Sequence, residues 1–412
     1  MVLAAADRVA VALAIALLGV GAAWCAEAPP EAPAPRVVTL DEALAAAEST
    51  PEVIVAHANE RVAAAGIRTA KAPAEPSLTL ATKTITARES VAVSIPFRWG
   101  GQRSAAVSAA EAELDAAARS GDAAIAAARR ACRVAWFTLA AAEDSLRAAI
   151  DAAARPERNR AALVDLFELQ RASRLDVAQA TTEAVLATAA RADAEKAVIA
   201  ASAELRALLG LDMRRLSAGD ARPMPPPEGA LEPWQERARA FSPDVAVAES
   251  ELRAAEARVT QRRRERRPLT SFETGADWND PTQPGTDASF GLALTFPTRG
   301  RAAWDAAQAE RDRAAARLDL ARRRIEADVE TAWSSTVSAR ARFEALDQVA
   351  RPAALEAVEL TELGYREGKL DLFRILVAQR QLADTERDRA AAYRDWGTAY
   401  ADLERLTPGS RP

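Results

Sequence analysis

Residues 365–382 read YREGKLDLFRILVAQRQL, and they interrupt what is otherwise one very long Ala-rich helical pattern. Apolar residues recur at spacings of three and four on both sides, so the chain is helical before and after a Tyr-x-x-Gly break. Residues 170–187, QRASRLDVAQATTEAVLA, repeat the arrangement: Leu175-Asp176 answers Leu370-Asp371, and Ser173 stands where Gly368 does. A long helix that stops and at once resumes is therefore a built feature, present twice.

The duplication extends outward from these breaks. STPEVIVAHANERVAAAGIRTAKAPAEPSLTL (49–80) aligns without a gap on FSPDVAVAESELRAAEARVTQRRRERRPLTSF (241–272), placing Pro51 on Pro243 and Pro76 on Pro268. Each half then runs through an alternating segment, a Gly/Arg turn, and a long helix with a Trp (Trp136, Trp333) and a Pro (Pro156, Pro352). Two structural repeats follow, 39–222 and 234–407, joined by the Pro-rich linker PMPPPEGALEP at 223–233 and ending in a short tail, 408–412. Thr39-x-x-Glu42 reads as a capping box, and Ser49 and Ser242, ahead of Pro51 and Pro243, read as helix starts.

The long helices span Arg103 to about Gln170 and Arg301 to about Arg366, roughly 100 Å each at 1.5 Å per residue. Shorter helices return over Asp176–Leu209 and Asp371–Leu406. Pro156 and Pro352 are expected to kink or break the long helices. Helices this poor in bulky residues have a narrow apolar stripe, so they must pack laterally in a cylinder or coiled coil.

The alternating segments are the β signal. Leu78 and Leu80 oppose Ser77, Thr79 and Ala81; after a turn at ARES (87–90), Val91, Val93, Ile95 and Phe97 oppose Ser90, Ala92 and Ser94. In the second repeat Phe272, Thr274, Ala276 and Trp278, then Phe290, Leu292, Leu294 and Phe296, form the apolar set. Two readings fit such hairpins, at 76–97 and 268–296: half-buried strands on a soluble helical body, or strands of a transmembrane barrel. The shortage of other apolar surface for them to cover weighs against the first. Four strands cannot close a barrel, so in the second reading several chains pool them. RRRERRP (262–268) then reads as an anchor near anionic head groups or as a solvated helix end.

Composition excludes other classes. Hydrophobic residues make up 49% of the chain but aromatics only 5%, so helices must approach closely. The net charge of −5 lacks the basic excess that nucleic acid requires. Cys25 and Cys132 give no disulfide framework, and a single histidine, His57, leaves metal ligands scarce; His57 reads as a structural or surface residue. No phosphate loop, dinucleotide turn or nucleophile elbow is present, so neither an enzyme nor a cofactor is expected. Val9–Val20 with GAAWCA after it reads as a signal peptide, 1–26, followed by a Pro-rich linker, 27–38. Cys25 is a candidate lipidation site, although Trp24 before it is bulkier than such processing ordinarily tolerates.

SIPFRWGGQRSAAVSAAEAELDAA, LTFPTRGRAAWDAAQAERDRAAARL and GYREGKLDLFRILVAQRQLADTERD together resemble the TolC family of outer-membrane efflux proteins, within it the CzcC-type components of cation exporters. The resemblance implies a mainly α fold with a small membrane β part. It implies a homotrimer whose twelve strands form one outer-membrane barrel continued by an α-helical periplasmic cylinder. The breaks become helix reversals at the periplasmic tip, where Gly368 eases the backbone. Gln170, Ser173, Arg174 and Asp176, with Tyr365, Gly368, Lys369 and Asp371, become the gate and the contact for a periplasmic adaptor, with energy from an inner-membrane RND pump. Gln170 and Ser173 depart from the family's usual Tyr and Gly, and PTRGR departs from the fuller CzcC turn. A protein-secretion duct and a coiled-coil adaptor or scaffold are the alternatives. An adaptor would show one helical hairpin within β-rich domains, and a scaffold would lack the four strands.

Overall fold

A computed structural model describes residues 35–83, 88–97, 100–211, 214–219, 230–278 and 285–408. The leader, Cys25, most of both linkers and the last residues of the tail lie outside them.

The first repeat comprises α1 (Leu40–Ala46), α2 (Pro51–Lys71), β2 (Ser77–Lys83), β3 (Arg88–Phe97), α3 (Gln102–Glu168) and α4 (Arg174–Leu209). The second comprises α5 (Glu232–Phe241), α6 (Pro243–Glu265), β5 (Leu269–Trp278), β6 (Asp287–Thr295), α7 (Gly300–Ala345), α8 (Arg351–Arg366) and α9 (Leu372–Leu406). Thr39 and Glu42 form the capping box read from the sequence, with reciprocal bonds of 3.2 and 3.0 Å. The start of α2 differs: Thr50, not Ser49, is the cap residue, and its hydroxyl turns back to donate to Ala47 O at 2.9 Å. Ser242 does precede α6 as read.

Two tripeptide strands were not foreseen. β1 (Arg36–Val38), assigned to the linker by sequence, pairs in parallel with β4 (Leu216–Ala218). The clasp is fastened to the helices. Trp136 Nε1 donates to Val38 O at 2.9 Å, Leu216 N donates to Ser202 Oγ at 2.7 Å, and Ala218 N donates to Glu143 Oε2 at 3.2 Å.

α3 is the central post, packed against α2, α4, α6 and α9; α7 leans on α6 and α9, and α8 on α9. Small residues permit the close approach, and five of the large ones gather in one belt. There Phe137 stands edge-on to Trp136 at 5.2 Å and to Tyr393 at 5.3 Å, with Phe343 5.6 Å from Trp396. Gly397 is required at this crossing, because a Cβ on it would lie 2.2 Å from the Phe137 ring. Each aromatic ring buried here contributes on the order of 1.5–3 kcal/mol, so a chain poor in aromatics concentrates them where they hold both repeats together.

The long helices differ in continuity. α3 runs 67 residues without interruption through Pro156. Its counterpart, spanning the same length from Gly300 to Arg366, passes through a π-helical turn at Leu346–Ala350, so that Pro352 lies in the first turn of α8. Only the second proline therefore coincides with a change in the helix. The backbone stays helical through the π-helical turn, which accommodates the proline ring and its missing N–H within a continuing helix.

The four longer strands form one antiparallel sheet in the order β2-β3-β5-β6. Ser90 is paired in β3 as the alternation implies, and Arg88 and Glu89, read as turn residues, are paired there too. Register places Leu78 beside Val93, Leu80 beside Val91, Ile95 beside Phe272, and Phe272 beside Leu292. Since side chains alternate with period two, these residues share one face. That face is open: Leu80 is 71% exposed, Phe290 75% and Leu292 68%. Among the described residues, the outer edges of β2 and β6 are unpaired.

Candidate functional site

Both helix reversals use the same backbone device. At the end of α3, Gln170 takes the left-handed conformation (φ 58°), Arg171 N donates to Leu166 O at 2.8 Å and Gln170 N to Phe167 O at 2.9 Å. At the end of α8, Gly368 takes it (φ 69°), Lys369 N donates to Gly364 O at 2.8 Å and Gly368 N to Tyr365 O at 2.9 Å. Each is a Schellman closure, which satisfies carbonyls that a helix end leaves bare. Three residues later each return helix is capped, by Ser173 in one and Asp371 in the other.

This corrects the sequence pairing. Gly368 corresponds to Gln170 and Asp371 to Ser173, three residues away from the match suggested by the two Leu-Asp pairs. Leu175-Asp176 lies inside α4, whereas Leu370-Asp371 precedes α9.

The eight tip residues divide by what they hold. Ser173 and Asp176 form a reciprocal capping box, Asp176 N donating to Ser173 Oγ at 3.1 Å and Ser173 N to Asp176 Oδ2 at 3.0 Å. Asp371 caps α9 through a single bond from Arg374 N at 3.3 Å. Tyr365 packs against a small apolar cluster of Leu163, Ala180, Leu372 and Leu376, which joins the two tips. Lys369 pairs with Glu367 at 2.6 Å, and Gln170, Arg174 and Lys369 are exposed. Gly364 leaves room for Leu370, whose Cδ1 would lie 2.6 Å from a Cβ there.

A charged cluster beside the π-helical turn was missed by sequence reasoning. Arg389 lies 3.1 Å from Glu386, 3.3 Å from Asp347 and 3.7 Å from Asp144, and Arg351 meets Glu386 at 2.6 Å. Burial, aided by Asp144, raises the Tyr393 hydroxyl well above its ordinary range. Only the periodicity break at Pro352 pointed here, because the partners are far apart in sequence.

RRRERRP does structural work. Arg264 and Arg267 both donate to Gly100 O, at 3.0 and 2.7 Å, and Gln102 Nε2 donates back to the carbonyls of Arg264 and Arg267. Gly100 and Gly101 are both left-handed, so the turn from β3 into α3 is held by the helix end of the other repeat.

Groups with catalytic potential are engaged otherwise. The Cys132 thiol is buried, which pushes its pKa up to about 11, too high for a thiolate nucleophile. His57 is exposed and sits 3.6 Å from Glu60. Among the described residues no three metal-ligating groups converge, and no helix is long and apolar enough to cross a membrane.

Residues 234–409 match the family model described as outer membrane efflux protein. No curated protein sequence matches the chain. Its fold is similar to that of a membrane protein from Pseudomonas aeruginosa, with 21% identity, 89% of this chain and 93% of that one covered, and a TM-score of 0.74. The CmeC outer membrane channel of Campylobacter jejuni gives 14% identity, 90% and 87% coverage and a TM-score of 0.76. The outer membrane protein VceC of Vibrio cholerae gives 17%, 90% and 96%, and 0.69. The mainly helical fold with its small sheet is thus the TolC-like one, over nearly the whole chain.

Proposed function

We propose that this chain is the exit duct of a tripartite efflux system, set in the outer membrane and extending into the periplasm. The observation that carries this reading is the sheet: four strands with an open apolar face and, among the described residues, two unpaired edges, mounted on helices of roughly 100 Å. Bare edges and an open apolar face are costly in water, and in lipid an edge is tolerated only when paired. Three copies, each joining its β6 edge to the β2 edge of the next, close twelve strands. The match of the second repeat to outer membrane efflux proteins supports the same conclusion.

The chain contributes no chemistry in this role. Export is passive through the duct, and energy comes from an inner-membrane pump of the RND class reached through a periplasmic adaptor at the tips. Cargo of metal cations rests on the CzcC-like sequence resemblance alone. Lipidation at Cys25 rests on sequence as well, and mass measurement of the mature chain decides it.

Within this reading the tips form the aperture. The exposed Arg174 and Lys369 are its charges, while Ser173, Asp176 and Asp371 shape the turns. Purified protein reconstituted in planar bilayers is expected to give trimer-sized single channels, and replacing Lys369 and Asp371 together by Ala to raise their conductance. A chain that stays monomeric and monodisperse without detergent sinks the duct. Unchanged conductance in an assembled trimer moves the constriction elsewhere.

A further inference from the structure

The body of the molecule balances its charges across helices. On α6, Arg253 meets Asp115 at 2.6 Å and Arg258 meets Glu113 at 2.7 Å, and on α7 Arg322 meets Glu249 at 2.8 Å. This balance fails where the helices meet the sheet. Residues 262–267 hold five arginines against one glutamate, Glu265, which Arg262 already occupies at 2.8 Å. Arg103, Arg299 and Arg301 join them from the other crossings, and all of these arginines are exposed.

Two of the arginines each spend one N–H on Gly100 O, a small part of a five-donor fork. Arg263 shares their helix end, and the Arg266 side chain lies against Gly300, which brings Arg299 and Arg301 to the same crossing. The apolar face of the sheet ends at the same level, with Phe97 and Phe296 exposed, and Arg266 lies over the Trp304 ring at 5.3 Å just below. The opposite rim of the sheet carries both signs, Lys83 and Arg88 beside Glu89, Asp277 and Asp287. The excess of one sign therefore sits at the helical end.

We propose that this arginine collar docks on the phosphate headgroups of anionic phospholipids in the leaflet that meets the helical end of the sheet. The inference rests on the membrane-embedded reading of the sheet given above. An apolar band ending in Phe97 and Phe296, followed by a dense row of forked cations, matches acyl chain and phosphate in depth. Arginine suits phosphate through paired N–H donors. A solubilising role explains exposed charge but not its single sign, since the helices below achieve exposure with balanced pairs.

The test uses the full chain in detergent, offered phosphatidylglycerol, phosphatidylcholine or glycerol 3-phosphate, with retained ligand measured by native mass spectrometry. Phosphatidylglycerol is expected to be retained over phosphatidylcholine by about tenfold or more, from roughly one basic contact's worth of attraction per arginine. Glycerol 3-phosphate is not retained. R263Q/R299Q/R301Q, which spares the two arginines that hold Gly100, loses the preference, and R263K/R299K/R301K keeps most of it. Circular dichroism confirms that both variants fold. Equal retention of the two lipids, or a preference undiminished in the Gln variant, overturns the collar. Retention of glycerol 3-phosphate as strong as that of the lipid shows a free-anion site and overturns leaflet docking, as does displacement of the lipid by a glutamate-rich peptide. Failure of the membrane reading looks different: the unsubstituted chain then stays monodisperse in buffer without any detergent.

Discussion

At one helical reversal the left-handed residue is Gln170, at the other Gly368, yet the N–H groups that follow reach back to carbonyls at the same two distances in sequence. One return helix is capped by Ser173 in a reciprocal box, the other by Asp371 through a single bond. The backbone path is thus duplicated while its residues are not. A Gln in the left-handed region costs about 1 kcal/mol relative to Gly, an amount that a body held by buried aromatic contacts between repeats can carry. The prolines teach the converse. Pro156 is buried within an unbroken α3, between neighbours that hold the helix on both sides, so its missing hydrogen bond is absorbed rather than relieved. Pro352 follows a π-helical turn, whose wider winding accommodates the ring and the missing N–H.

The largest effect that tests this comparison is at the prolines. Pro156→Ala is expected to stabilise by up to about 3 kcal/mol, as an interior proline is replaced by a helix former. Pro352→Ala is expected to stabilise by less, about 1 kcal/mol or below, because the π-helical turn already accommodates the proline. Thermal unfolding in detergent measures both, and equal effects would show that the π-helical turn relieves nothing. Next come the reversals, with opposite signs. Gln170→Gly stabilises and Gly368→Ala destabilises, each by about 1 kcal/mol; the same sign at both sites breaks the structural equivalence. Smallest is the cap difference, read by hydrogen exchange of the first amides of each return helix. Ser173→Ala is expected to cost about 1 kcal/mol and Asp371→Ala about half that, since the box satisfies two donors and the single bond one.

Much of this architecture was legible. The duplication followed from the aligned prolines, and the strand faces followed from strict alternation, because period-two patterning survives whatever the strands pair with. Thr39 and Glu42 announced their capping box by spacing alone. The tip register was not legible. Two identical Leu-Asp pairs drew the alignment three residues away from the true equivalence, and Gln170 gives no residue-type signal of a positive φ as a glycine would. The β1–β4 clasp escaped because three residues are too few to show a period. The cluster around Arg389 escaped because Asp144, Asp347 and Glu386 come together only after α3, the π-helical turn and α9 have packed. The eight residues at the two breaks were read together from their positions alone, and the division between those that shape the turn and those left exposed depended on backbone geometry.

The edges of β2 and β6, unpaired among the described residues, have a genetic consequence. In the proposed ring each copy is both donor and acceptor, so no copy can be replaced by a faulty one without opening the whole circle. A chain with a damaged β2 or β6 edge but an intact helical body would still be recruited through its helices and would spoil every ring it joined. Such an allele, co-expressed with the unaltered one, is expected to behave as dominant, whereas an allele that destroys the helical body is expected to be recessive.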